Sequence, residues 1–111
     1  MRFLIFVCDD VTPIAAPSSM GEDTDKWVTT YDEQGIRLLG DRVDPPSKAK
    51  TVRVRDGELL VTDGPFLETK EALGGFDVLE CRDLDEAIEV AAAHPMAKAG
   101  VLEIRPFWTG D

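Results

Sequence analysis

Two side chains in this sequence carry the chemistry of proton transfer at near-neutral pH. Asp63 ends a strand-like run immediately before Gly64-Pro65. A carboxylate there can accept amide hydrogens and fix a turn. Partly buried, it would have a raised pKa and could act as a general acid/base or orient a ligand. His94 is the only histidine in the chain, and imidazole is the side chain whose unperturbed pKa lies closest to neutrality. It stands where a helix should end, before Pro95. An exposed helix C-terminus favours the protonated ring by roughly 0.3–1 kcal/mol, so His94 reads either as a helix cap or as the partner of Asp63.

Other candidates flank this pair. Glu68, Lys70 and Glu71 form a polar set that either orders its own loop or contacts a polar ligand. Arg105 alternates with Glu103 on the last strand-like run, placing both on one face as an ion pair or a ligand contact. Gly74-Gly75 permits a bulge or a close backbone approach, and it lacks the GxGxxG context of a dinucleotide site. With no CxxC, no HExxH and a single histidine, a zinc site is not expected, and no cofactor is called for.

The elements that must position these residues follow from patterning. Residues 2–8 read as a strand apolar on both faces, with Phe3, Ile5 and Val7 one way and Leu4, Phe6 and Cys8 the other. Residues 9–20, with Pro13, Pro17 and paired serines, read as a long loop of the kind that often binds. Ser19 and Glu22 have capping-box spacing for a helix that carries Trp27, Val28 and Tyr31 on one face and stops at Gly35. Residues 36–43 form a second strand. Residues 50–55 and 58–62 form a hairpin around Asp56-Gly57, with Val52 and Val54 inward. Residues 76–81 form the next strand. Asp83 and Glu86 then open a helix whose stripe is Leu84, Ala87, Ile88, Ala91 and Ala92. Pro95 stops that helix near His94. Residues 101–106 form the last strand, and Trp108 beyond it covers a core edge.

The chain has 111 residues, 43% hydrophobic and 31% charged, which suits one globular domain over 1–111. Its net charge of −10 argues against direct binding of nucleic acid or an anionic membrane. The apolar run after Arg2 stops at Asp9-Asp10, too short for a signal core or a membrane span. Cys8 and Cys81 read as lone buried thiols of a cytoplasmic protein.

The order strand, helix, strand, hairpin, strand, helix, strand fits an α+β, ferredoxin-like plan: a split βαβ with an inserted hairpin and both helices on one face of an antiparallel sheet. The other sheet face would be bare, and the two-sided first strand implies that a second copy covers it, giving a homodimer with sheets face to face.

Asp63-Gly64-Pro65-Phe66, Glu68-Thr69-Lys70-Glu71 and Gly74-Gly75-Phe76 resemble the signature of the DGPF branch of the YCII-related proteins. Leu84-Asp85-Glu86-Ala87 and Glu103-Ile104-Arg105-Pro106 strengthen the resemblance, which covers the second half of the chain. It implies a dimeric α+β barrel and metal-free acid/base chemistry of lyase or isomerase type on a small polar organic molecule, through a His–Asp pair. The alternative it implies is a non-catalytic ligand-binding or regulatory module associated with an extracytoplasmic-function sigma factor. The wider group carries its histidine in the first half of the chain, where this sequence has none, so His94 does not occupy that position.

Overall fold

The computed structural model describes residues 1–10, 14–65 and 73–110. Its elements are β1 (Arg2–Asp9), α1 (Met20–Glu33), β2 (Arg37–Arg42), β3 (Lys50–Arg55), β4 (Glu58–Asp63), β5 (Leu73–Glu80), α2 (Leu84–Ala92), α3 (Met96–Ala99) and β6 (Gly100–Pro106). A 3₁₀ turn over Pro46–Lys48 precedes β3.

Four strands make one sheet in the order β2-β5-β1-β6, every neighbouring pair antiparallel. β1 and β2 are therefore parallel, with β5 between them, and β5 and β6 are parallel, with β1 between them. Each parallel pair is joined through a helix. This is the split βαβ arrangement, and the fold is α+β and ferredoxin-like. Among the described residues β3 and β4 pair only with each other. Their turn places Asp56 (φ 50°) and Gly57 (φ 78°) in the left-handed region, the geometry for which a two-residue hairpin selects Asp-Gly.

The core lies between the sheet and the helices. Phe3, Ile5 and Leu79 are fully buried and pack with Trp27, Cys81, Ala87 and Val90. Alternation along β1 sends Phe3 and Ile5 to this side and leaves Leu4, Phe6 and Cys8 half-buried on the other. On that open face Phe6 lies opposite Phe76 and Glu103, and Leu39 of β2 is 53% exposed. Neither Cys8 nor Cys81 is in a disulfide. Among the described residues no helix is long and apolar enough to cross a membrane.

Four local expectations are corrected. Ser19 does not cap α1 through its side chain; its hydroxyl donates to Asp23 Oδ2 at 2.8 Å instead. The buried stripe of α2 is Ala87, Val90 and Ala91, while Leu84 and Ile88 are nearly half exposed. Continued at the same spacing, that stripe reaches His94 (i, i+3, i+4, i+7). Val52, Val54, Leu59 and Val61 do share one face of the hairpin, but each is more than half exposed, because the hairpin stands as a separate sheet. Trp108 is 85% exposed and covers no core edge. By contrast, the cap on α2 is as the sequence requires: Asp83 Oδ1 accepts from the Glu86 backbone N–H at 2.9 Å.

Candidate functional site

A hollow of about 670 Å³ opens beside the sheet, within the size range of small-molecule sites. One wall is sheet: Gly40 and Asp41 on β2, and Gly74 to Asp77 on β5. The opposite wall is Trp27 and Val28 of α1, with Ile14 and Ala16 from the loop after β1. His94 and Met96 close one end. The long loop that the sequence suggested for binding thus contributes part of the cavity lining.

The sheet wall holds an ion pair where β2 crosses β5. Asp77 shares the inward face with Leu79, so its carboxylate points toward the helices and is 5% exposed. Arg37 Nε donates to Asp77 Oδ1 at 2.7 Å, and its Nη1 reaches Asp32 Oδ1 at 3.1 Å. Burial pushes the Asp77 carboxyl above its ordinary range, and the Arg37 guanidinium pulls it only part of the way back. For Arg37, burial opposes the charge, but its bonds to Asp77 and Asp32 prevail and its pKa is raised.

Gly40 makes this pairing geometrically feasible. It lies directly across from Asp77 in the β2–β5 register. A Cβ there would collide with Asp77 Oδ1, and would lie 2.6 Å from the Phe76 carbonyl oxygen and 2.8 Å from Arg37 Nη2. The missing side chain is the space in which carboxylate and guanidinium meet.

His94 is 5% exposed. Its ring stands edge-on to Trp27 with centroids 4.6 Å apart, and the indole is itself fixed by Nε1–H donating to the Val90 carbonyl at 2.9 Å. The Met96 backbone N–H donates to His94 Nδ1 at 3.0 Å. Burial, aided by the nearby Arg37 charge, pushes the pKa from 6.5 down to about 4. The expected protonated helix cap is therefore corrected: the ring is neutral, because the chain turning through Pro95 into α3 encloses it.

The structure does not bring Asp63 and His94 together. Asp63 ends β4 with its side chain 85% exposed, ion-paired to Lys50 across the hairpin, and it does not line the hollow. Arg105 is on the open sheet face, donating to Glu103 Oε2 at 2.7 Å with its guanidinium carbon 5.8 Å from the centre of the Phe6 ring. Glu68, Lys70 and Glu71 fall outside the described residues. Among the described residues no three His, Cys, Asp or Glu side chains are grouped as metal ligands. Sequence reading missed Asp77, Arg37 and Gly40. The available signal was an acid sharing the inward face of a strand with Leu79 and Cys81.

The fold and this lateral hollow define a small ferredoxin-like α+β domain with a ligand-sized cavity between sheet and first helix. The YCII-related domain pattern matches residues 1–109, and the chain belongs to that family. It is 43% identical over 67 residues to an uncharacterised protein of Rhizobium meliloti (strain 1021), a match covering 59% of this chain and 54% of that protein. It therefore spans about half the length of that relative. Among solved structures it aligns with the 5-chloro-2-hydroxyhydroquinone dehydrochlorinase of Burkholderia phenoliruptrix AC1100 in complex with 2,5-dihydroxybenzoquinone. That alignment has 19% identity, covers 99% of this chain and 96% of the other, and has a TM-score of 0.46.

Two outcomes follow from the site geometry. Gly40→Ala should separate Arg37 from Asp77 and lower stability by about 1–3 kcal/mol in urea denaturation, the usual cost of overpacking; an unchanged midpoint would contradict the geometry. The His94 pKa is depressed in the folded state, so the unfolded chain binds the extra proton and stability falls as pH drops below the unfolded value of 6.5. The raised pKa of Asp77 acts in the opposite sense, adding stability as pH falls through its folded value toward 3.8, so the His94→Gln comparison isolates the histidine. Between about pH 7.5 and pH 5 the wild type should lose on the order of 2 kcal/mol, and His94→Gln should lose clearly less.

Proposed function

We propose that the protein binds a small organic molecule in the hollow beside His94 and, as an enzyme, moves a proton on it by metal-free chemistry of lyase or isomerase type. The observation that carries this reading is a buried, uncharged imidazole set into the wall of a ligand-sized cavity, next to a buried ion pair. Buried titratable groups with displaced pKa values collect where chemistry or binding is done. Asp63 in this reading secures the hairpin through Lys50 and leaves the cavity chemistry to others. We propose, as a separate point, that Glu68, Lys70 and Glu71 supply polar contacts to the ligand. The protein works in the cytoplasm, where cysteines such as Cys8 and Cys81 stay out of disulfides.

We further propose a homodimer. Leu4, Phe6, Phe76 and Val78 are half-buried on the helix-free sheet face, and this apolar surface is supported best by a second copy packed against it. Arg105 and Glu103 then stand at that interface.

Binding is tested in a Trp108→Phe background, where Trp27 alone reports by fluorescence, together with NMR shifts of Met20, Val28 and Met96 in a screen of small oxygenated aromatics. Hits should quench Trp27 and move those signals; hits mapping only to the hairpin or the open sheet face would sink the reading. For the dimer, light scattering at micromolar concentration should give twice the chain mass, and Leu39→Asp should shift it toward monomer. A monomeric wild type removes that part.

A further inference from the structure

His94 can act through only one of its two nitrogens. Nδ1 accepts the Met96 backbone N–H, so in the neutral ring the hydrogen must reside on Nε2. Among the described residues no acceptor meets Nε2, and none of their buried side-chain nitrogens or oxygens lacks a partner. Nε2 therefore belongs to the small accessible part of the ring. The ring lines the hollow, and Arg37 acts on it electrostatically from the sheet wall of that hollow. The site thus offers an N–H donor whose own charge is suppressed, held in orientation by the Trp27 edge contact and by the Met96 bond.

The surrounding charges narrow the ligand. Asp9, Asp10, Asp25, Asp41 and Asp77 line the hollow against two cations, Arg37 and Arg42. Arg37 is already engaged by Asp77 and Asp32, so it is not a vacant anion receiver. With Asp77 and Arg37 offsetting each other, the remaining carboxyl groups outnumber the remaining cation, Arg42, and this net negative lining repels carboxylates and phosphates. Trp27, Val28, Ile14 and Met96 supply apolar and aromatic wall.

We propose that His94 is locked as the Nε2–H tautomer and donates that hydrogen to the carbonyl oxygen of an uncharged, partly apolar ligand lying against Trp27. In this role His94 is an electrophile that polarises the carbonyl, not a base: its Nε2 lone pair is already protonated and its Nδ1 lone pair is occupied. A neutral imidazole is suited to this, since it stabilises negative charge developing on the oxygen without first transferring a proton. Polarising a carbonyl acidifies the neighbouring C–H, whose proton passes to a carboxylate of the hollow such as Asp41 or Asp25, leaving an enolate held by the His94 N–H; this deepens the proton-transfer reading above and rests on it.

The test has two independent parts. Nitrogen-15 NMR of the whole protein, with no ligand, should show one hydrogen on His94 Nε2 and none on Nδ1, unchanged from about pH 8 to pH 5.5. A hydrogen on Nδ1, or an imidazolium at neutral pH, overturns the lock whatever the protein binds. The second part uses acetophenone labelled with carbon-13 at the carbonyl, α-methylstyrene as the same shape without an acceptor, and benzoate as the anion. Acetophenone should bind with a downfield carbonyl shift and about tenfold more tightly than either of the others. His94→Gln, which keeps an N–H donor, should retain the shift, and His94→Phe should lose it and remove the affinity difference between acetophenone and α-methylstyrene. Equal binding of acetophenone and α-methylstyrene with no carbonyl shift overturns the donor role alone. Benzoate binding as tightly as acetophenone overturns the uncharged ligand. Failure of both neutral probes to bind overturns the ligand assignment together with the cavity reading beneath it.

Discussion

A carboxylate buried in the middle of an apolar sheet face is the constraint around which the rest of this fold is arranged. Asp77 sits on the face that packs under the helices, between Gly75 and Leu79, where an uncompensated charge would cost several kcal/mol. Arg37 answers it from the neighbouring strand, Gly40 gives up its side chain to let the two meet, and Asp32 at the end of α1 takes the outer side of the guanidinium. The pair ties β2, β5 and α1 at one point. A pair of this kind contributes little net stability, and breaking one half of it is expensive. Its value is positional: it fixes the sheet wall of the hollow and sets a positive charge near His94, helping to keep that ring uncharged.

Arg37 links the two buried polar groups across the cavity. Arg37 holds Asp77 and disfavours protonation of His94, while burial suppresses the imidazolium independently. Trp27 connects the same ring to the core, because its indole N–H is bonded to α2 and its edge contact reaches His94. The site is built on strands and helices, with the loop after β1 contributing only wall residues such as Ile14 and Ala16. Such a base keeps donors aimed before a ligand arrives.

What could be read in advance divides along sequence separation. The hairpin was legible because Asp56-Gly57 and clean alternation are local, and α2 because Asp83 and Glu86 announce its start within four residues. The split βαβ plan followed from the order of the elements. The site was not legible, because its decisive contacts are distant in sequence: Arg37 to Asp77 spans 40 residues and Trp27 to Val90 spans 63. His94 misled for a local reason. Pro95 does end α2, but it also opens α3, and the turn between them encloses a ring that a terminal position would have left in water. For Asp63 both a turn and a catalytic role could be read, because a dense run of turn residues marks a hairpin end as readily as a catalytic loop; the structure places it at the hairpin end, paired to Lys50.

The central position of β1 has a consequence for how the chain comes to be folded. Its partners are β5 and β6, which begin at Leu73 and Gly100, so Phe3 and Ile5 cannot be enclosed until nearly the whole domain has left the ribosome. The hairpin, needing only its own fourteen or so residues, can close within roughly 1–10 μs of emerging. During synthesis the apolar first strand must wait while the hairpin and α1 appear downstream of it. Such distant pairing slows folding and leaves a sticky strand uncovered, so the opening segment is where a chaperone would have most to do.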